Sequence, residues 1–159
     1  MSNLYLRNML IGILATLTMD ILTGVSTKLR LIAPLSARLI GRWFAGVGRG
    51  QLLHSDIGQV AAIKQEMAIA VTVHYAIGLT LALIYLFVSA SLGLASRNPI
   101  TALGFALCTN IFPGLLMFPA MGYGWFGSHG PADTRLLPSS LITHCFSGVG
   151  LWPATSMLS

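Results

Sequence analysis

Four apolar stretches of membrane-spanning length constrain this chain more than any other feature. They run over 6–27, 66–92, 100–122 and 136–158. About 20 apolar residues in helical conformation cross the hydrocarbon layer of a bilayer. The chain therefore reads as an all-α membrane protein, a four-transmembrane-helix bundle formed by a single integral membrane domain over 1–159. Composition agrees: 55% of residues are hydrophobic and only 8% are charged, where a soluble domain carries about a quarter. Near the start, Arg7 followed by the apolar run 9–19 resembles a short signal peptide. However, Asp20 interrupts that run, no Ala-x-Ala site follows, and the apolar pattern resumes at Ile21. The expectation is an uncleaved first helix.

Charge orients the bundle. The formal net charge of +5 does not point to nucleic acid, because the basic residues gather in one loop. Lys28, Arg30, Arg38, Arg42, Arg49 and Lys64 lie between the first two spans, and Arg135 lies between the last two. Arg7 and Arg97 fall on the other side. The positive-inside rule places the 28–65 loop in the cytoplasm and both termini outside, in a bacterial inner membrane. Tyr5 and Trp152 then belong to the outer interface, Tyr123 and Trp125 to the inner one.

The long loop carries its own helical pattern over 35–44. Leu35, Leu39, Ile40, Trp43 and Phe44 recur at helical spacing, while Arg38 and Arg42 share another face. This predicts an interfacial amphipathic helix. It is read first as a membrane-surface anchor with both arginines on lipid phosphates. The alternative is a lid over the polar residues of the spans, with Arg42 aimed inward.

Titratable residues inside the spans mark the candidate site. Asp20 precedes Lys28 by eight positions, His74 follows Glu66 by eight, and His144 follows Arg135 by nine. At 1.5 Å per helical residue, each stands roughly 12–14 Å from the same membrane face. Such groups are costly in hydrocarbon and usually face a partner or a water-filled cavity. Each also sits on a stripe of small residues: Gly12, Thr16, Asp20 and Gly24; Glu66, Ala70, His74, Gly78 and Ala82; Ser140, His144 and Gly148. Small residues at that spacing let helices approach closely in lipid. Asp20, His74 and His144 are therefore expected to face one another in the bundle interior. In the third span, Pro113 and Pro119 free the carbonyls of Thr109 and Leu115, and Asn110 extends the polar path.

Several chemistries fit one carboxylate and two imidazoles. Asp20, His74 and His144 make a three-ligand set for a transition metal, and two histidines at similar depth also suit a haem. An Asp–His pair suits proton relay, because imidazole titrates near neutral pH. No cofactor is named by the sequence. The bland alternative is interhelical glue, each group satisfying the other. Toward the inner mouth stand Arg42, His54, Asp56, Glu66, His129 and Asp133. Glu66 suits the positive end of a helix dipole, the 54–56 segment a helix cap, and His129 a turn. Cys108 and Cys145 read as small hydrophobes rather than a disulfide. No catalytic signature is visible.

Taken in order, several motifs resemble a bacterial four-helix inner-membrane family known only as a domain of unknown function. They are Thr16-Leu-Thr-Met-Asp20, Gly41-Arg-Trp43, His54, Glu66, His74-Tyr75-Ala-Ile-Gly78, Pro119-Ala-Met-Gly122-Tyr-Gly124, and Thr143-His144 with Gly148-Val-Gly-Leu151. The resemblance implies fold and location and no activity. It also implies that Asp20, Arg42, His54, Glu66, His74 and His144 belong to the family pattern. One stretch departs: Ser128-His-Gly-Pro131 stands where the family would carry Ser-x-Thr-Pro.

The leading expectation is an inner-membrane protein with an inward-opening polar pocket, handling a proton, a metal ion or a small solute. A structural or accessory subunit is the alternative, and an enzyme acting on a lipid headgroup a further one. Expected partners are membrane lipids and a second copy of the chain in a homodimer.

Overall fold

The computed structural model describes residues 2–132 and 134–158, with side chains from Leu4 onward. Asp133 lies outside the described residues. The elements are α1 (Ser2–Lys28), α2 (Ala37–Val47), α3 (Glu66–Ser91), α4 (Pro99–Thr109), a π-turn (Pro113–Met117), the short α5 (Phe118–Ala120) and α6 (Leu136–Leu158). No strand occurs among the described residues.

Three helices are long and apolar enough to cross a membrane: Leu4–Lys28, Glu66–Ser91 and Pro99–Ala120. In α3 only 11% of the most apolar window is buried inside the protein. Much of the rest is partly or fully exposed, as is a file of large apolar residues on α1 that includes Leu6, Ile13, Leu17 and Ile21. Such surface requires a nonpolar surrounding, so the chain is a membrane protein. The expected fourth span, α6, has the length at 23 residues. It is less apolar than the others because Ser139, Ser140, Thr143, His144 and Ser147 occupy its first half.

Helix ends follow local chemistry. Asn98 caps α4 by accepting the Ile100 amide at 2.8 Å, with Pro99 at the first helical position. The third span is not one continuous helix. Pro113 has no amide to give the Thr109 carbonyl, α4 ends there, and the chain passes through a π-turn before α5. π-turns of this kind are frequent at functional sites. The loop helix starts and ends slightly later than the 35–44 pattern suggested, at Ala37 and Val47.

α1 packs against α3 and α6, α6 against α4, and α2 crosses α3. Two cores result. One joins Ile11, Ala15, Ala82, Tyr85, Ala102, Leu151 and Ala154. The other gathers Ile57, Phe118, Met121, Tyr123 and Leu136, with Leu35, Leu39 and Trp43 packed on it. The apolar face of α2 therefore covers protein. Gly122 makes this second core possible: its φ is +89°, and an added Cβ would run into the Ser55 carbonyl. Beside it, the His54 and Ile57 amides donate to the Ala120 and Met121 carbonyls at 2.8 and 3.0 Å.

Candidate functional site

The site is built on two ladders of small residues. On α1, positions 12, 16 and 20 recur every four residues, and on α3 so do 82, 78 and 74. The helices run antiparallel, so the steps meet. A Cβ at Gly12 would lie 2.9 Å from the Leu79 Cα and 3.3 Å from the Ala82 Cβ. One at Gly78 would collide with the Thr16 hydroxyl. One turn further on, Asp20 Oδ1 and His74 Nε2 stand 2.9 Å apart. The pair is half-buried, with Tyr75 edge-on to the imidazole at 5.7 Å between ring centroids. The ladder ends there, because nothing lies within 4 Å of a Cβ at Gly24.

The second ladder joins α6 to α4. A Cβ at Gly148 would lie 3.0 Å from the Leu103 Cα and 3.1 Å from the Ala102 carbonyl oxygen. One turn away, His144 Nδ1 is 2.8 Å from Thr109 Oγ1 and 3.2 Å from the Ala106 carbonyl oxygen. The next turn brings the Ser140 hydroxyl to Asn110 Oδ1, which it donates to at 2.5 Å. Asn110 is buried at the break between α4 and the π-turn.

Between the ladders lies a cavity of about 120 Å³. His74 and Gly78 form one wall; Thr109, His144 and Ser147 form another, with Thr16 beside them. The expected three-way meeting is thus only partly made. Asp20 and His74 pair directly, and His74 and His144 share a cavity, but His144 takes its hydrogen bonds from α4. Among the described residues no group of three or more His, Cys, Asp or Glu could hold a metal ion. Of the expected metal set Asp20, His74 and His144, the first two are in contact, and His144 Nδ1 is engaged by Thr109 and Ala106.

A separate cluster closes the first turn of α3. Arg42 donates from Nε to Glu66 Oε2 at 3.0 Å, and from one terminal nitrogen to the carbonyls of Val60 at 2.5 Å and Ile57 at 3.4 Å. The side chains of Arg42 and Glu66 are only 10% and 4% exposed. Arg38 stays 63% exposed, 3.8 Å from Glu66 Oε1. The anchoring role expected for Arg42 is corrected here: a buried carboxylate demands a charged partner, and Arg42 supplies it. Contact is close because Gly41 lies against the α3 backbone, where a Cβ would sit 2.7 Å from the Glu66 carbonyl carbon and 3.0 Å from the Ala70 nitrogen.

His54 lies apart from the cavity. It lines an open groove with Gly50, Gln51, Leu52 and Val60, and its Nε2 is buried beside Gly46. Asp56 caps a short 3-10 turn by accepting the Gly58 amide at 2.8 Å. The His129 amide donates to the Tyr123 carbonyl at 2.8 Å, within a turn. Sequence reasoning missed Thr109 as the partner of His144 and the Asn110–Ser140 pair. Pro113 is a signal for both, since it ends the helix beside Thr109 and Asn110, and Ser140 shares the stripe of His144.

Comparison with curated proteins finds no match, and comparison with solved structures finds none. A family described as "Protein of unknown function (DUF2938)" matches residues 9–158. Its span takes in both ladders, the cavity between them and the Arg42–Glu66 cluster, and the chain belongs to this family.

Proposed function

We propose that this is a multi-pass protein of the bacterial inner membrane that handles protons through Asp20, His74 and His144. In this reading α6 is the fourth span, both termini lie outside, and α2 lies at the cytoplasmic face over an inward-opening polar pocket. The observation that carries it is the 2.9 Å Asp20–His74 contact inside apolar helices, with His74 on the wall of a cavity that His144 shares.

The competing chemistries fit less well. A metal site is usually built from three or more protein ligands, and no such group of His, Cys, Asp or Glu occurs among the described residues. A pocket for a small organic solute is typically 300–1,000 Å³, well above about 120 Å³. A headgroup enzyme would need Arg42 free for phosphate, and it is committed to Glu66. Proton handling needs only a carboxylate and imidazoles around a shared space, which Asp20, His74 and His144 supply.

The test is proton uptake into vesicles of phosphatidylethanolamine and phosphatidylglycerol that hold the full chain and a trapped pH-sensitive dye. A potassium diffusion potential supplies the drive. Wild-type protein is expected to acidify the lumen, and Asp20→Asn or His74→Gln to abolish uptake while retaining helical circular dichroism. Uptake no faster in wild-type vesicles than in protein-free ones refutes the proposal. Unchanged uptake in both variants assigns the pair to helix packing.

A further inference from the structure

The hydrogen bonds around His144 suit one tautomer. The Thr109 hydroxyl donates its one proton to the Ala106 carbonyl at 2.7 Å. Its oxygen is therefore an acceptor toward His144 Nδ1 at 2.8 Å. The Ala106 carbonyl, 3.2 Å from the same Nδ1, can also only accept. A hydrogen on Nδ1 satisfies both contacts at once and leaves Nε2 as the basic nitrogen of a ring that lines the cavity. Opposite, the Asp20 carboxylate can only accept, so His74 Nε2 donates to it at 2.9 Å. The two imidazoles line the same cavity.

The space between them suits water. Much of its lining is apolar, including Met19, Leu81, Phe105 and Leu151, but His74, His144, Thr109, Ser147 and Thr16 also line it, and a buried water needs about two to four such polar partners. We propose that water filling this cavity is a proton wire from His74 to His144, with Thr109 as the positioning residue that keeps His144 Nε2 basic. The inference rests on the proton-handling reading and adds its route. In the step, the His74 imidazolium releases one proton to the nearest water. A proton passes along the file by exchange of O–H bonds, and the last water gives one to His144 Nε2. His74 ends neutral, His144 ends as imidazolium, and net charge is conserved.

Three full-length variants test this in the same vesicles. Ser147→Leu adds bulk at the cavity wall and is expected to lower proton uptake at least tenfold. Thr109→Val keeps the shape and removes the hydroxyl; a fall of several-fold is expected, with Thr109→Ser restoring the rate. Nitrogen NMR of His144 reads the tautomer directly, and protonated Nδ1 with unprotonated Nε2 is expected in wild-type protein. Wild-type uptake in folded Ser147→Leu, or a His144 protonated on Nε2 alone, overturns the wire while leaving the Asp20–His74 reading in place. Wild-type protein without uptake overturns both. Should Ser147→Leu fail to fold, the smaller Ser147→Val and the tautomer measurement decide the matter.

Discussion

Gly41→Ala probes how α2 is held over the first turn of α3. The new Cβ would run into the Glu66 carbonyl oxygen, and would sit 2.7 Å from its carbon and 3.0 Å from the Ala70 nitrogen. Nonbonded contacts settle at about 3.5–4.0 Å, and these are backbone atoms that cannot swing aside. α2 must then withdraw by about 1.5 Å or more, which also stretches the 3.0 Å Arg42–Glu66 bond from the next residue. Overpacking of this kind costs about 1–3 kcal/mol, or about a 5- to 150-fold rise in the undocked population. A helix of 11 residues is marginal by itself, so undocking exposes its amides. Hydrogen exchange of the α2 amides is the assay, and their rates are expected to rise by that factor. Gly48→Ala is the matched control: its φ is −62°, and its nearest neighbours would be 3.7 Å away. Exchange within twofold of wild type in Gly41→Ala, or an equal rise in Gly48→Ala, would refute the docking argument.

Other outcomes follow from the same packing. Arg42→Lys keeps the charge but cannot serve Glu66, Val60 and Ile57 together; it is expected to speed α2 exchange, while Arg38→Lys, at an exposed site, leaves it unchanged. Gly78→Ala drives a methyl into Thr16 and should break the Asp20–His74 contact one turn away; loss of the paired imidazole signal in NMR, recovered in the Thr16→Ala double variant, is the check. Tyr85 donates to the Ser96 carbonyl at 2.7 Å, and the Thr155 hydroxyl stands 2.9 Å from the same oxygen, with the Leu151 and Trp152 carbonyls also in reach of its one proton. Tyr85→Phe and Thr155→Val are each expected to cost about 0.5–1 kcal/mol, and the double variant more than their sum in denaturant unfolding, because the carbonyl then loses both donors. Reporters fused to either terminus are expected to be active outside only, and a cytoplasmic signal from the carboxyl terminus would refute the four-span orientation.

The sequence by itself determined what is local. Helix ends at Lys28, Glu66 and Leu136, the loop helix, and the turns at Asp56 and His129 follow from apolar runs, caps and glycines within a few residues. The Asp20–His74 level was also legible. Depth comes from counting along a helix, and four-residue spacing puts Gly12, Thr16 and Asp20 on one line whatever the neighbour is. Only the tertiary structure decided which neighbour each line meets. Counting along the helices puts His144 level with Asp20, yet Gly148 fits the α4 backbone at Ala102 and Leu103, and one turn away the ring meets Thr109. Arg42 has the pattern of a lipid-facing arginine, but Gly41 brings it onto a buried Glu66, where an unpaired carboxylate would be far more costly than an unmade lipid contact. Spacing along the chain sets a residue's face and depth, and the close fit of one helix backbone on another sets what that face touches.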